Sequence, residues 1–242
     1  MLALTNVFVV SYAQSDFFGK LIILSLVAIS MICWVVLLHK IWMLRQVKKL
    51  SESFLTVIEE QKNSLLSFEV SPPSLESTFN PFGQIFQSIK GKTIDLLNKN
   101  RYFISQTAPG KANVYLTLAD LELLESHVSA TISSQNKVLE KNLFILPTIA
   151  ALAPFIGLLG TVWGILVSLS GLQNGGTMGS NASILGGLST ALSTTVLGLM
   201  IAIPALVAYN YIKAHLKNYS SDMEGFLTSL ISRIELQYRK VE

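Results

Sequence analysis

The chain of 242 residues has one cysteine, Cys33, and three widely separated histidines, His39, His127 and His215. A single thiol cannot close an intramolecular disulfide, and no Cys/His spacing suits zinc, so no metal centre is expected. Charge is scarce as well. Only 14% of residues are Asp, Glu, Lys or Arg against 50% hydrophobic, and the net charge is +3. The basic residues are scattered among acids without an aromatic-interleaved patch, which argues against nucleic acid as a partner. There is no Gly-rich phosphate loop, and nowhere do an acid, a base and a nucleophile converge. No enzymatic activity and no cofactor are therefore expected. The most telling absence is local. From Leu143 to Ile212, a stretch of 70 residues, there is no Asp, Glu, Lys, Arg or His.

Apolar runs fill that space. A bilayer core of roughly 30 Å needs about 20 apolar residues per helical crossing. Three stretches pass this test, at residues 20–40, 143–172 and 184–212. The loop 173–183 is rich in Gly, Asn and Ser and reads as a turn between antiparallel spans. Met1 to Ala13 is fairly apolar but lacks the positive start of a secretory signal, so residues 1–19 are expected to remain as a segment near the outer surface. Lys and Arg near the span ends number eight on one side (Lys40, Arg45, Lys48, Lys49, Lys137, Lys141, Lys213 and Lys217) and one on the other, Lys20. By the positive-inside rule the N-terminus is outside, while residues 41–142 and 213–242 are cytoplasmic.

The cytoplasmic parts read as helices rather than a catalytic domain. Phe54, Val57, Ile58, Gln61 and Leu65 trace an amphipathic continuation of the first span. Pro72-Pro73, Pro81 and Pro109-Gly110 break the chain. Leu121, Leu124, Val128 and Ile132 recur at helical spacing, as do Leu227, Leu230, Ile231, Ile234 and Tyr238. Glu122, Glu125 and Glu140 read as a solvated face. The expected fold is an all-α membrane protein of three transmembrane helices, with long helices extending into a cytoplasmic helical bundle.

The second and third spans are the informative ones. At about 100° per residue, Pro154, Gly157, Gly160, Thr161, Gly164 and Ser168 share one face of the second helix. Gly187, Ala191, Thr194, Thr195, Gly198, Ala202 and Ala205 share one face of the third. Leu185, Leu188, Leu192, Val196, Leu199, Ile203 and Leu206 cover its opposite side. Small residues let helix backbones approach closely in lipid, so Pro154, Gly157, Gly160, Gly164, Gly198 and Pro204 are candidate packing residues, expected to meet in a ring of copies. The hydroxyls admit two readings. They can bond back to their own helices, or Thr161, Thr190, Thr194 and Thr195 can line a narrow water-containing path.

The run Ala153-Pro154-Phe155-Ile156-Gly157-Leu158-Leu159-Gly160-Thr161-Val162-Trp163-Gly164-Ile165 resembles the second-span signature of the MotA/TolQ/ExbB proton channel family. Gly187-Leu188-Ser189-Thr190-Ala191-Leu192, Thr194-Thr195, Gly198, Ala202-Ile203-Pro204 and Tyr209-Asn210 resemble its third-span signature. Lys20-Leu21-Ile22-Ile23 through Trp34 is similar to the first span of TolQ. The resemblance implies a bacterial inner-membrane subunit that assembles as a homo-oligomer, a pentamer, around the single-span helices of a TolR- or ExbD-like partner carrying an intramembrane Asp. Thr161 and Thr195 would then face that Asp in the lumen, and the complex would couple proton-motive force to work on the outer membrane. Proteobacterial members usually carry a Glu where this chain has Thr190, which leaves both pore-forming spans without an ionisable group. A non-conducting membrane scaffold and a sodium-driven homologue are the alternative functions.

Overall fold

A computed structural model describes residues 9, 11–13, 15–60, 80–107, 115–173 and 180–238. The expected breaks at Pro72-Pro73 and Pro109-Gly110, the continuation at Gln61 and Leu65, and residues 174–179 of the loop lie outside the described residues. Beyond the short helical stretch at residues 11–13, those described form five helices and no strand: α1 Phe17–Glu60, α2 Pro81–Thr107, α3 Leu118–Glu140, α4 Ile145–Gln173 and α5 Ser180–Tyr238. The protein is all-α. Among the described residues, three stretches are long and apolar enough to cross a membrane, Phe17–Ile58, Leu118–Gly171 and Ile184–Tyr238, the middle one taking in α3 as well as α4.

The helices start and stop where local chemistry says they should. Helix α2 opens with Pro81, whose missing N–H is no loss in a first turn, and Asn80 Oδ1 accepts from the Gly83 amide at 3.1 Å. Helix α3 opens on a capping box in which Thr117 Oγ1 accepts from the Asp120 amide at 3.2 Å and Asp120 Oδ2 accepts from the Thr117 amide at 2.9 Å. It ends at Glu140. Asn142 then takes a left-handed φ of 63°, which Asn tolerates better than most residues. Residues 141–144 turn, so α4 begins at Ile145, two residues after the expected start, and α3 does not run on into it. In α5, Pro204 lies inside a helix of 59 residues without ending it.

The chain divides into two units, Met1–Lys40 with Asn142–Ile212, and Ile41–Lys141 with Lys213–Glu242. In the second unit the striped faces supply the core. Phe54, Ile58, Leu121, Leu124, Val128, Ile132, Leu227, Leu230 and Ile234 are buried together with Phe82, Ile85, Phe86 and Ile89 of α2. Glu122, Glu125 and Glu140 are exposed. Helices α2 and α3 run antiparallel, with Gln135 bonded to Gln84 and Ser88 to Thr131 at 3.0 Å. Tyr219 of α5 bonds Ser51 of α1 and meets the Phe82 ring edge-on at 5.3 Å.

Thr117→Ala removes the α3 cap and is expected to cost about 1 kcal/mol locally. Amide exchange at Asp120 and Leu121 should then rise roughly fivefold. Unchanged exchange would mean the capping box contributes nothing.

Candidate functional site

The first unit is built on a seam of small residues between α4 and α5. A Cβ added to Gly157 would lie 2.8 Å from the Thr194 carbonyl oxygen and 3.0 Å from Thr195 Cα. One on Gly198 would lie 2.5 Å from the Ala153 carbonyl oxygen, and one on Gly164 2.7 Å from that of Gly187. At Gly160 a Cβ would run into the Thr194 side chain. Partners descend along α5 as they ascend along α4, so the two helices are antiparallel and in backbone contact. Glycine is the residue that lets them meet this closely. The contacts made by these glycines close within one chain. Pro154 lies inside α4 and is partly buried, while Pro204 is exposed and borders an apolar cleft with Trp34, Cys33 and Met200. Helix α1 packs on this pair through Ile22 and Leu26, which bury against Ala153 and Ala202.

The threonines fall into two groups. Thr190 and Thr194 are buried. Thr194 Oγ1 donates to Ala191 O at 2.8 Å and approaches Gly157 O at 3.3 Å. Thr161 and Thr195 are partly exposed. Thr161 Oγ1 donates to Leu158 O of its own helix at 2.6 Å, and Thr195 Oγ1 donates across the seam to Gly157 O at 3.1 Å. Thr161 stands one turn beyond Gly157 on α4, so both partly exposed hydroxyls sit beside the same stretch of seam. A hydroxyl that has given away its proton still has lone pairs to accept from water. The opposite face of α5 is open: Leu185, Leu188, Leu192, Val196, Leu199, Ile203 and Leu206 are all exposed.

A second polar group lies where α1 begins. Ser11 Oγ lies 2.9 Å from Ser193 Oγ, and Ser15 Oγ lies 3.2 Å from Thr190 Oγ1. Thr190 Oγ1 also lies 2.9 Å from Gly186 O and 3.2 Å from Ser11 O. Asp16 caps α1, accepting the Gly19 amide at 3.1 Å through Oδ1, and accepts the Trp163 indole N–H at 2.8 Å through Oδ2. Trp163 stacks at a tilt on Phe18, with ring centroids 4.4 Å apart. Sequence reasoning placed Thr190 among the pore hydroxyls but missed Asp16, Ser11 and Ser15. Ser15-Asp16 ahead of an apolar run is a helix-start signal, and it was the available clue.

Residues 101–225, just over half of the chain, match the MotA/TolQ/ExbB proton channel family. The chain belongs to that family. It is 42% identical over 89 residues to the biopolymer transport protein ExbB of Neisseria gonorrhoeae, an overlap of 37% of this chain and 40% of the relative. It is 49% identical over 79 residues to ExbB of Helicobacter pylori, covering 33% of this chain and 54% of that one. It is 38% identical over 96 residues to the Tol-Pal system protein TolQ of Pseudomonas aeruginosa, covering 40% and 41%. The chain thus spans about two fifths of the length of the Neisseria relative. In this MotA/TolQ/ExbB member the family match contains α3, α4, the whole α4–α5 seam and all four threonines. Asp16, Ser15 and helix α1 fall outside it.

Proposed function

We propose that this chain is the proton-channel subunit of an inner-membrane motor of the TolQ-TolR or ExbB-ExbD type. In this reading a homo-oligomer, a pentamer by family resemblance, surrounds a single-span partner. The partner's intramembrane Asp takes up and releases the proton, and proton-motive force is converted into movement of the partner. The observation that carries the reading is the placement of Thr161 and Thr195. They are partly exposed hydroxyls, Thr161 bonded to the Leu158 carbonyl and Thr195 to the Gly157 carbonyl, in a stretch, residues 143–212, without a single Asp, Glu, Lys, Arg or His. A membrane-embedded carboxylate is costly and is usually functional. Since α4 and the apolar part of α5 have none, the titrating carboxylate belongs to the partner, and these hydroxyls supply the wall that keeps water beside it.

Cross-linking tests this arrangement. In a Cys33→Ser background, Thr195→Cys should cross-link to the helix of a co-expressed single-span partner, and Leu199→Cys on the exposed Leu face should not. Equal labelling of the partner from both positions, or labelling from Leu199→Cys alone, would remove Thr195 from the lumen.

Orientation rests on the eight-to-one basic asymmetry about the spans. Thr177→Cys in the same background should react with an impermeant thiol reagent added to the periplasmic side, whereas Ser71→Cys should react only after the membrane is opened. The reverse pattern would invert the assignment.

A further inference from the structure

The α1 end of the first unit holds a cleft of about 410 Å³ whose walls include Ser15, Asp16, Gly160, Trp163, Thr190 and Thr194. Asp16 is exposed, whereas Ser15, Thr190 and Thr194 are buried. The cleft therefore joins a carboxylate open to solvent with hydroxyls deep in the α4–α5 pair. Among the described residues the Asp16 carboxylate meets only neutral donors, the Gly19 amide and the Trp163 indole. The nearby titratable groups are Lys20, whose Nζ sits 6.0 Å from the Tyr12 ring centroid, and Tyr12 itself. Helices α4 and α5 present no Asp, Glu, Lys, Arg or His here, because residues 143–212 contain none.

A carboxylate held by two neutral donors, with no bonded cation, keeps lone pairs that can accept a proton from water. A space of this size holds several waters, and its walls offer them polar partners at Ser15, Thr190 and Thr194. We propose that this cleft is a proton-entry vestibule, with Asp16 as the proton-accepting group that the chain itself supplies. The carboxylate takes a proton from a hydronium ion at the surface, leaving water, and becomes a carboxylic acid. It then gives that proton to a water in the cleft beside Thr190, forming hydronium there, and returns to carboxylate, so no other reactant is needed. Asp16 places a carboxylate in the same cleft as the buried Thr190 hydroxyl. The inference rests on the channel reading above and adds to it the route by which protons reach the lumen.

The test uses membrane vesicles containing the full chain with its single-span partner, following proton uptake with a pH-sensitive dye. Asp16→Asn should assemble and lower uptake about tenfold. Asp16→Cys in a Cys33→Ser background should be equally poor. Its uptake should recover severalfold after reaction with carboxyethyl methanethiosulfonate, which restores a carboxylate, but not with the aminoethyl reagent, which adds a cation. Comparison of one assembled sample before and after labelling decides the matter even if Asp16→Asn assembles badly. Wild-type uptake by Asp16→Asn, or equal responses to the two reagents, overturns the vestibule. If Thr195→Val blocks uptake while Asp16→Asn does not, the vestibule falls and the channel stands. If the wild-type complex takes up no protons, the channel reading itself fails and carries the vestibule with it.

Discussion

Replacing Thr195 with valine is expected to reduce proton-motive-force-dependent activity at least tenfold while leaving the complex assembled, and Thr161→Val is expected to do the same. Valine nearly matches threonine in volume but lacks the hydroxyl. At Thr195 the change removes one bond, to Gly157 O at 3.1 Å, and a single neutral hydrogen bond contributes only about 1 kcal/mol net to stability. Backbone contact at Gly157 and Gly198 remains, so the seam should hold. The effect on water is larger. A narrow apolar wall offers few partners, and losing one exposes a polar species to a desolvation cost of about 1–3 kcal/mol. Each 1.36 kcal/mol added to a barrier is about tenfold in rate. Purification with the partner reports assembly, and partner-dependent growth or transport reports activity. If both valine variants drive the partner at wild-type levels, the two threonines serve packing alone.

Gly198→Leu and Gly160→Leu should do something different: they should destroy the first unit rather than silence it. A Cβ at Gly198 already meets the Ala153 carbonyl oxygen at 2.5 Å, and backbone cannot rotate away as a side chain can. At Gly160 the obstacle is the side chain of Thr194, which is itself fully buried. Overpacking by even a methylene commonly costs about 1–3 kcal/mol, and leucine at these sites adds far more. Detergent-extracted protein should be lost to aggregation or proteolysis. Gly171→Ala is the matched control, because no atom of the described residues lies within 4 Å of the added Cβ, and Leu199→Ala on the exposed face should also be tolerated. A normal oligomeric size for either leucine variant would mean that α4 and α5 are not in contact through these residues.

The sequence showed the helices more clearly than it showed their partners. Three long apolar stretches, and the two-sided character of the third, follow from composition and a 3.6-residue period. The exposed row from Leu185 to Leu206 is where that period puts it. The burial of Leu124, Val128, Leu230 and Ile234 is legible in the same way. Periodicity says which face of a helix is small, but not whose backbone will meet it. The same Gly157 and Gly198 face would look identical whether it closed against a second copy or, as it does, against the neighbouring helix of the same chain. Hydroxyls pose a similar problem. Thr161 and Thr194 both bond to carbonyls of their own helices, yet one is partly exposed and the other fully buried. Only the packing of α5 against α4 separates them. Asp16 lies before the apolar run, and its partner Trp163 is 147 residues away in the chain, so only the fold brings the two together.

The central claim is that this chain, with a single-span partner, conducts protons. Its most direct test is to reconstitute the two together in liposomes, impose a potassium diffusion potential and follow internal pH. Proton entry should require both chains, and it should stop when the partner's intramembrane Asp is changed to Asn. An assembled complex that admits no more protons than empty liposomes, or that conducts equally with the Asn partner, would contradict the account.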